Sequence, residues 1–479
     1  MKKEILIFNF LILLFFASSI VSISAFTFFQ VLIILYALFL FLNDLLKKNN
    51  KKNNEQIIVL EESNSKLNEK KRINLFNIGY FFIIFGFILS FVFSTNIKLS
   101  IFRLPIYAII ILIIPSSYFL YKRFKNEMNK ISNKILALNI AISFLVIIIN
   151  FLIILRINSG FIGLFSKRQD GLLRNSIGFA YCMIIPVFYI VYNLYLLYKD
   201  ENKKLFFTFL PIVLFSIFIQ ILLLISSGTR TAIFSFILSI IISAFCYIFY
   251  MYILNSNKNI KRDKKSRLLS FIFIFVFLFI LIFIIYLFSP LTSIRYFIEL
   301  HEKIDQYLLN KKLYLIYRIN SSSREILNYF ELFKKPEKIR FINNEYGFRS
   351  AAILSSIKII KLRPFQGTGP FAWKYFISKN KDLLIIFPPK TFLHSHCHND
   401  ILQILVEFGI IFFVGFLLLL FLSFKNILSK IKVEKKFTGI LSLYIFFFFL
   451  LGGLTDFLFG HPLVGPYYGF FLGIFAFKE

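Results

Sequence analysis

The chain has 479 residues, 58% of them apolar and 19% aromatic, with a mean hydropathy of +0.76; a soluble core cannot absorb that much apolar surface, so lipid is the expected solvent. The formal net charge of +31 does not read as a nucleic-acid footprint, because the basic residues lie in short runs between apolar stretches rather than on one face. Cys182 and Cys246 fall inside apolar stretches and only Cys397 lies in a polar one, which excludes a disulfide framework.

A helix crossing about 30 Å of hydrocarbon takes roughly 20 apolar residues. On that measure the sequence predicts an all-α polytopic membrane protein of about 12 transmembrane helices, with one long outer loop containing short helices. The first half supplies Ile5 to Ile23, Phe26 to Leu45, Phe76 to Ser94, Ile101 to Tyr121, Ile135 to Leu155 and Ser176 to Tyr198. The basic head and small residues near Ala25 leave a cleaved signal peptide as the alternative for the first of these. The second half supplies Leu205 to Ser226, Thr231 to Leu254, Leu268 to Ser289, Ile401 to Phe424, Phe437 to Leu454 and Leu463 to Phe477.

Every second connection is rich in lysine: 46–75, Lys122 to Lys134, Lys199 to Lys204, Lys258 to Arg267 and Lys425 to Lys436. Basic short loops stay in the cytoplasm, so these connections and both termini are expected inside. Arg156 to Asn175 weakens the pattern, with four basic residues in an outer connection. The long loop 290–400 is then outside, and with it His301, His394, His396, His398 and His461. Within it, Arg349 to Leu362 has apolar residues at helical spacing and predicts a helix lying along the membrane surface.

Three polar segments stand out against this background: SSGTRTA at Ser226 to Ala232, the stretch from Arg349 to the GTG at Gly367 to Gly369, and HSHCHNDILQILVEFG at His394 to Gly409. Their order and spacing resemble the O-antigen ligase/polymerase family. There, a Ser-Gly-(Ser/Thr)-Arg motif opens a span, an outer-loop Arg precedes a Pro-x-x-Gly-x-Gly turn, and His-Asn-x-x-Leu-Gln-x-x-x-Glu-x-Gly enters the next span. The matching positions are Arg230, Arg349, Pro364, Gly367, Gly369, His398, Asn399, Leu402, Gln403, Glu407 and Gly409. The resemblance covers residues 201–479, whereas 1–200 match only as a set of spans. His394 and His396 are additions to the family pattern.

What the resemblance implies is a metal-independent glycosyltransferase in the bacterial inner membrane. It would move a polyprenyl-pyrophosphate-linked glycan, on the periplasmic face, to a hydroxyl of lipid A core or of a second lipid-linked glycan, as ligase or polymerase in surface polysaccharide synthesis. No cofactor is implied. The residue chemistry agrees: His398 is the candidate base, and Arg230 and Arg349 are candidate clamps for a departing pyrophosphate. Gly367 and Gly369, with Asn399, Gln403 and Glu407, are candidate substrate contacts.

Each has a plainer alternative. His398 could bond loop carbonyls at a helix entry, the arginines could anchor helices at the interface, and the glycines could only turn the chain. The Asn399, Gln403, Glu407 stripe, spaced four apart, could support His398 or bond a neighbouring helix. A zinc site in the His394 to His398 run is disfavoured, because alternate residues converge only on an extended strand and no second ligand cluster has the usual spacing. A transporter or flippase, or a transferase acting on protein hydroxyls, are the competing functions. Transporters usually carry midplane charges and repeated halves, which this sequence does not show.

Overall fold

The computed structural model describes residues 2–21, 23–55, 75–128, 131–157, 176–199, 202–227, 229–258, 345–380, 396–432 and 436–476. The expected span Leu268 to Ser289, the loop as far as residue 344, His301 and His394 lie outside them. Among the described residues the secondary structure is entirely helical, as lipid demands of a chain that must satisfy its own backbone. The helices are α1 (Lys2–Val21), α2 (Ile23–Glu55), α3 (Leu75–Val92), α4 (Ile97–Met128), α5 (Asn133–Ile157), α6 (Ser176–Lys199) and α7 (Lys203–Ser226). They continue as α8 (Arg230–Lys258), α9 (Glu345–Leu362), α10 (Trp373–Lys379), α11 (Asp400–Lys432), α12 (Lys436–Thr455) and α13 (Gly465–Ala476).

Eight stretches, in α2 to α7, α11 and α12, are long and apolar enough to cross a membrane. Their outer faces carry residues such as Phe81, Phe102 and Phe207, each more than half exposed, which only lipid would cover. The chain is thus a multi-pass membrane protein, and the described residues fall short of the expected count of spans. At α13, where a span was expected from Leu463 to Phe477, the described helix has 12 residues, a length of about 18 Å. It is almost wholly buried, so its apolar character serves packing against protein.

Close crossings of helices make the scaffold. α3 lies along α11 with Gly79, Ile83, Gly86 and Ser90 on its buried face. A Cβ on Gly86 would come within 2.5 Å of the Phe412 backbone nitrogen, so only glycine permits this approach. α13 lies along α4 through Gly465, Gly469 and Gly473, which face Ile110, Ile113 and Ile114. Deeper in the first half, the side-chain amides of Asn9, Asn139 and Asn193 join α1, α5 and α6 by hydrogen bonds of 3.0–3.2 Å.

The bundle has two chemically different ends. At one, Arg123 of α4 pairs with Asp44 of α2 and with Glu4 of α1, and Lys430 of α11 bonds Tyr121 of α4. This is the end where Lys47, Lys199 and Lys203 also fall. At the other, the start of α4 meets the segment before α10, through Ser100 Oγ donating to Pro370 O at 3.0 Å, and the start of α11 meets the end of α12, through Asn399 Nδ2 donating to Leu454 O at 2.8 Å. The described histidines gather at this second end.

Candidate functional site

The site rests on a break in α11. Gly409 has φ 77° and ψ −179°, which interrupts the helical ladder and leaves carbonyls without their usual donors. The segment from Pro364 to Gly369 fills the gap. Thr368 N–H donates to Val406 O at 2.7 Å, Gly369 N–H to Glu407 O at 3.0 Å, and Ile410 N–H to Pro364 O at 2.7 Å. Thr95, at the end of α3, donates its N–H to Thr368 O at 2.9 Å and its hydroxyl to the same oxygen.

Gly367 and Gly369 have φ of 64° and 98°, and a Cβ on Gly367 would strike the Glu407 carbonyl. Their N–H groups donate to Arg363 O and Glu407 O. The glycines therefore serve the docking of turn to helix.

Just beyond the break runs a buried polar line. Tyr107 of α4 donates to Glu407 Oε2 at 2.7 Å, Gln403 Nε2 donates to Glu407 Oε1 at 2.6 Å, and the Cys397 N–H donates to Gln403 Oε1 at 2.7 Å. Gln403 and Glu407 are fully buried. Gln403 holds the backbone of the histidine segment at Cys397, and Glu407 also bonds the neighbouring helix α4. Asn399 caps α11, its Oδ1 accepting from Leu402 N–H at 3.0 Å.

His398 sits immediately before that cap with φ 56°, a left-handed conformation uncommon for a residue with a side chain. It is 8% exposed. Its Nδ1 lies 3.3 Å from Asp456 Oδ1, and His396 Nε2 lies 3.4 Å from the same oxygen, with the two rings 4.3 Å apart. Asp456 follows α12 and its Oδ1 also accepts the Phe457 N–H at 2.8 Å. Burial by itself would raise the Asp456 carboxyl, but hydrogen bonds and charge from His396 and His398 outweigh it and hold the group well below the usual range.

Cys397 turns the other way, into an apolar cluster with Trp373 and Val406, and burial pushes its thiol up to about 12. His461 accepts the Leu463 N–H on Nδ1 at 3.3 Å. Part of its ring remains accessible while Nε2 is covered without a partner, and burial lowers its pKa to about 4.

His396 and His398 thus meet at Asp456 while Cys397 faces the apolar cluster. Their nearest donor atoms and that of Asp456 lie within 4.8 Å of one another, a set that divalent metals also use.

Of the two arginines read from the sequence, Arg230 is the first residue of α8 and Arg349 lies on α9; their side chains are outside the described residues. α8 packs along α12, which leads into Asp456, and α9 packs on α11. Arg349 is one turn before Ala352, which belongs to the cluster around Cys397.

Two other arginines flank the docked turn. Arg103 of α4 stacks over the Phe371 ring at 4.6 Å, and Arg363 donates Nη2–H to Phe93 O at 3.2 Å. Arg103 Nε and Arg363 Nη1 are buried without a hydrogen-bond partner, and burial lowers the Arg363 guanidinium. Sequence reasoning missed Arg103 and Tyr107; it placed Asp456 and His461 in the last outer turn with no sign in the sequence of the bond from Asp456 to the histidines. The only available signal was that Arg363 adjoins Pro364 in the glycine motif.

No curated protein matches the chain. A family model described as O-Antigen ligase matches residues 214–417, a stretch that includes Arg230, Arg349, both turn glycines, His398, Asn399, Gln403 and Glu407. Such a domain implies glycan transfer in surface polysaccharide biosynthesis, from lipid-linked substrates in a membrane setting. That match takes in the motifs that build the break, the turn and the histidine segment, so residues 214–417 are similar to the O-antigen ligase family.

Proposed function

We propose that the protein transfers a polyprenyl-pyrophosphate-linked glycan to an acceptor hydroxyl at the histidine end of the bundle. The observation that carries this reading is the His398 to Asp456 pair, with a carboxyl held anionic behind the imidazole. In the tautomer that donates Nδ1–H to Asp456, Nε2 offers its lone pair to the acceptor hydroxyl. The hydroxyl oxygen bonds to the anomeric carbon of the donor sugar, the bond from that carbon to the phosphate oxygen breaks, and the pyrophosphate departs with the electron pair. His398 takes the proton. Arg230 and Arg349 stabilise the leaving group, whose charge grows as the bond breaks.

Asn399, Gln403 and Glu407 keep this arrangement in place, and residues 1–200 act as the scaffold for the transferase half, 201–479. The histidine end faces the periplasm of a bacterial inner membrane, with both termini cytoplasmic. The acceptor is lipid A core for a ligase or another lipid-linked glycan for a polymerase.

The test is the gel pattern of surface glycolipid in a deletion strain complemented with wild type, His398→Asn or Asp456→Asn. Long polymer stranded on its polyprenyl carrier in the deletion identifies a ligase, and single repeats on the core identify a polymerase. His398→Asn should lose about a hundred- to ten-thousand-fold in rate, with Asp456→Asn between it and wild type. Full complementation by well-expressed His398→Asn would refute the mechanism. An unchanged pattern in the deletion would point to a flippase or a protein acceptor. The His396, His398 and Asp456 donor set favours one second reading, a divalent metal site; activity that survives chelation excludes it, and activity lost to chelator and restored by metal establishes it.

A further inference from the structure

Arg103 and Arg363 stand at the two ends of the docked turn, and both are fastened to the corner between α3 and α4. Arg363 donates Nη2–H to Phe93 O at 3.2 Å. The next residue, Ser94, bonds Ser100 through their hydroxyls at 2.8 Å, and Ser100 lies one turn before Arg103 on α4. The Arg103 guanidinium is 4.6 Å from the centre of the Phe371 ring, and Phe371 is held at φ 58°, a conformation that costs on the order of 1 kcal/mol.

The chain supplies no anion to either cation. Among the described residues arginine meets carboxylate only at Arg123, and Arg103 Nε and Arg363 Nη1 are buried without a hydrogen-bond partner. A guanidinium left so is costly. The surface around the pair is apolar: Phe93, which bonds Arg363, and Phe102 and Phe365, within two residues of an arginine, are each more than half exposed. An anionic head on a hydrocarbon tail answers both features.

A bilayer phosphodiester would bring a single negative charge to this pair, whereas the pyrophosphate of a carrier lipid brings one on each phosphate and suits the forked donors of arginine. The position is also joined to the reacting groups. Arg103 is one turn from Tyr107, whose hydroxyl bonds Glu407 at 2.7 Å, and Gly369 of the turn donates to Glu407 O. Arg349, a clamp for the donor, lies near the start of α9 and Arg363 just past its end. That is roughly 20 Å along the helix, farther than one pyrophosphate bridges.

We infer that Arg103 and Arg363 bind the pyrophosphate of a second polyprenyl-linked glycan, the acceptor, so that the reaction is a polymerisation. The acceptor role rests on the proposed transfer; the binding of a second pyrophosphate lipid does not.

The experiment titrates undecaprenyl pyrophosphate against the full chain in mild detergent and counts bound lipid by native mass spectrometry. Wild type should take up two equivalents. Arg103→Met, which keeps an apolar stem on Phe371, should weaken one of them by about tenfold or more, as for loss of a charge-assisted contact. Arg363→Gln should weaken the same one, and Arg230→Gln the other. Neither phosphatidylglycerol nor lipid A core should displace the equivalent that depends on Arg103.

A single equivalent in wild type would overturn the inference, as would two that both withstand Arg103→Met, whatever becomes of Arg363→Gln. Displacement by phosphatidylglycerol would overturn it in favour of a bilayer headgroup, and displacement by lipid A core in favour of a ligase. If Arg230→Gln and Arg349→Gln spare both equivalents while Arg103→Met removes one, the donor clamps of the proposed mechanism fail and the second pyrophosphate site stands.

Discussion

Asp456 receives two imidazoles on one oxygen, and a third ring, His461, lies close enough to feel its charge. These groups give the histidine end a defined response to acid. His461 has its folded pKa lowered from 6.5 to about 4, so the unfolded chain binds the proton first. Its penalty is absent above about pH 6.5, grows as pH falls toward 4, and is constant below that. For a ring that keeps part of its surface accessible, the whole effect is on the order of 2 kcal/mol.

Asp456 acts in a separate window. Its depressed carboxyl contributes stability that is complete above the ordinary carboxylate range and lost as pH falls through its folded value. The expected outcome is a detergent melting midpoint that drops between pH 6.5 and 4 in wild type and drops less in His461→Gln. Identical slopes in the two proteins would show that His461 does not titrate in this way. None of this was readable from the chain alone, because His398 and Asp456 stand 58 residues apart and Asp456 has no motif around it.

At the scale of elements, the junction of α3, the Pro364 to Gly369 turn and α11 is the feature on which the histidine segment hangs. Gly409 is its keystone: a Cβ there would strike the Phe365 carbonyl, and a side chain at φ 77° carries strain in any case. Gly409→Ala should destabilise the protein by about 1–3 kcal/mol, read as a lower melting midpoint in detergent, and should cost activity with His398 and Asp456 untouched. A variant with wild-type stability would mean that the turn can dock without the glycine.

Hydropathy made the long helices legible, because lipid leaves a chain few alternatives, and the motif spacing pointed to the break. It could not show why the glycines stand where they do. Their role depends on carbonyls of a helix that follows them in the chain, and a phosphate-binding loop would use the same residues. Likewise the stripe of Asn399, Gln403 and Glu407 was visible as a periodicity, whereas its anchor, Tyr107, comes from the half that the family motifs do not reach. The apolar run at α13 reads the same in sequence whether lipid or protein covers it.

For the whole molecule, the lysine end and the histidine end give the bundle a direction, and charge asymmetry supplies the expected sense of insertion. Lys379→Cys, exposed at the end of α10, and Lys47→Cys, exposed on α2, test it in a background with Cys246→Ser. An impermeant maleimide applied to intact spheroplasts should label Lys379→Cys and spare Lys47→Cys until the membrane is opened. The opposite pattern would invert the protein and put the proposed chemistry in the cytoplasm.

One further consequence follows from the left-handed backbone at His398. Holding an imidazole in that conformation costs on the order of 1 kcal/mol, a strain that glycine does not incur and asparagine tolerates more readily. Under the proposed mechanism, activity and stability therefore pull against each other at this one position: exchanging His398 for glycine or asparagine would relieve the backbone strain and remove the proposed base.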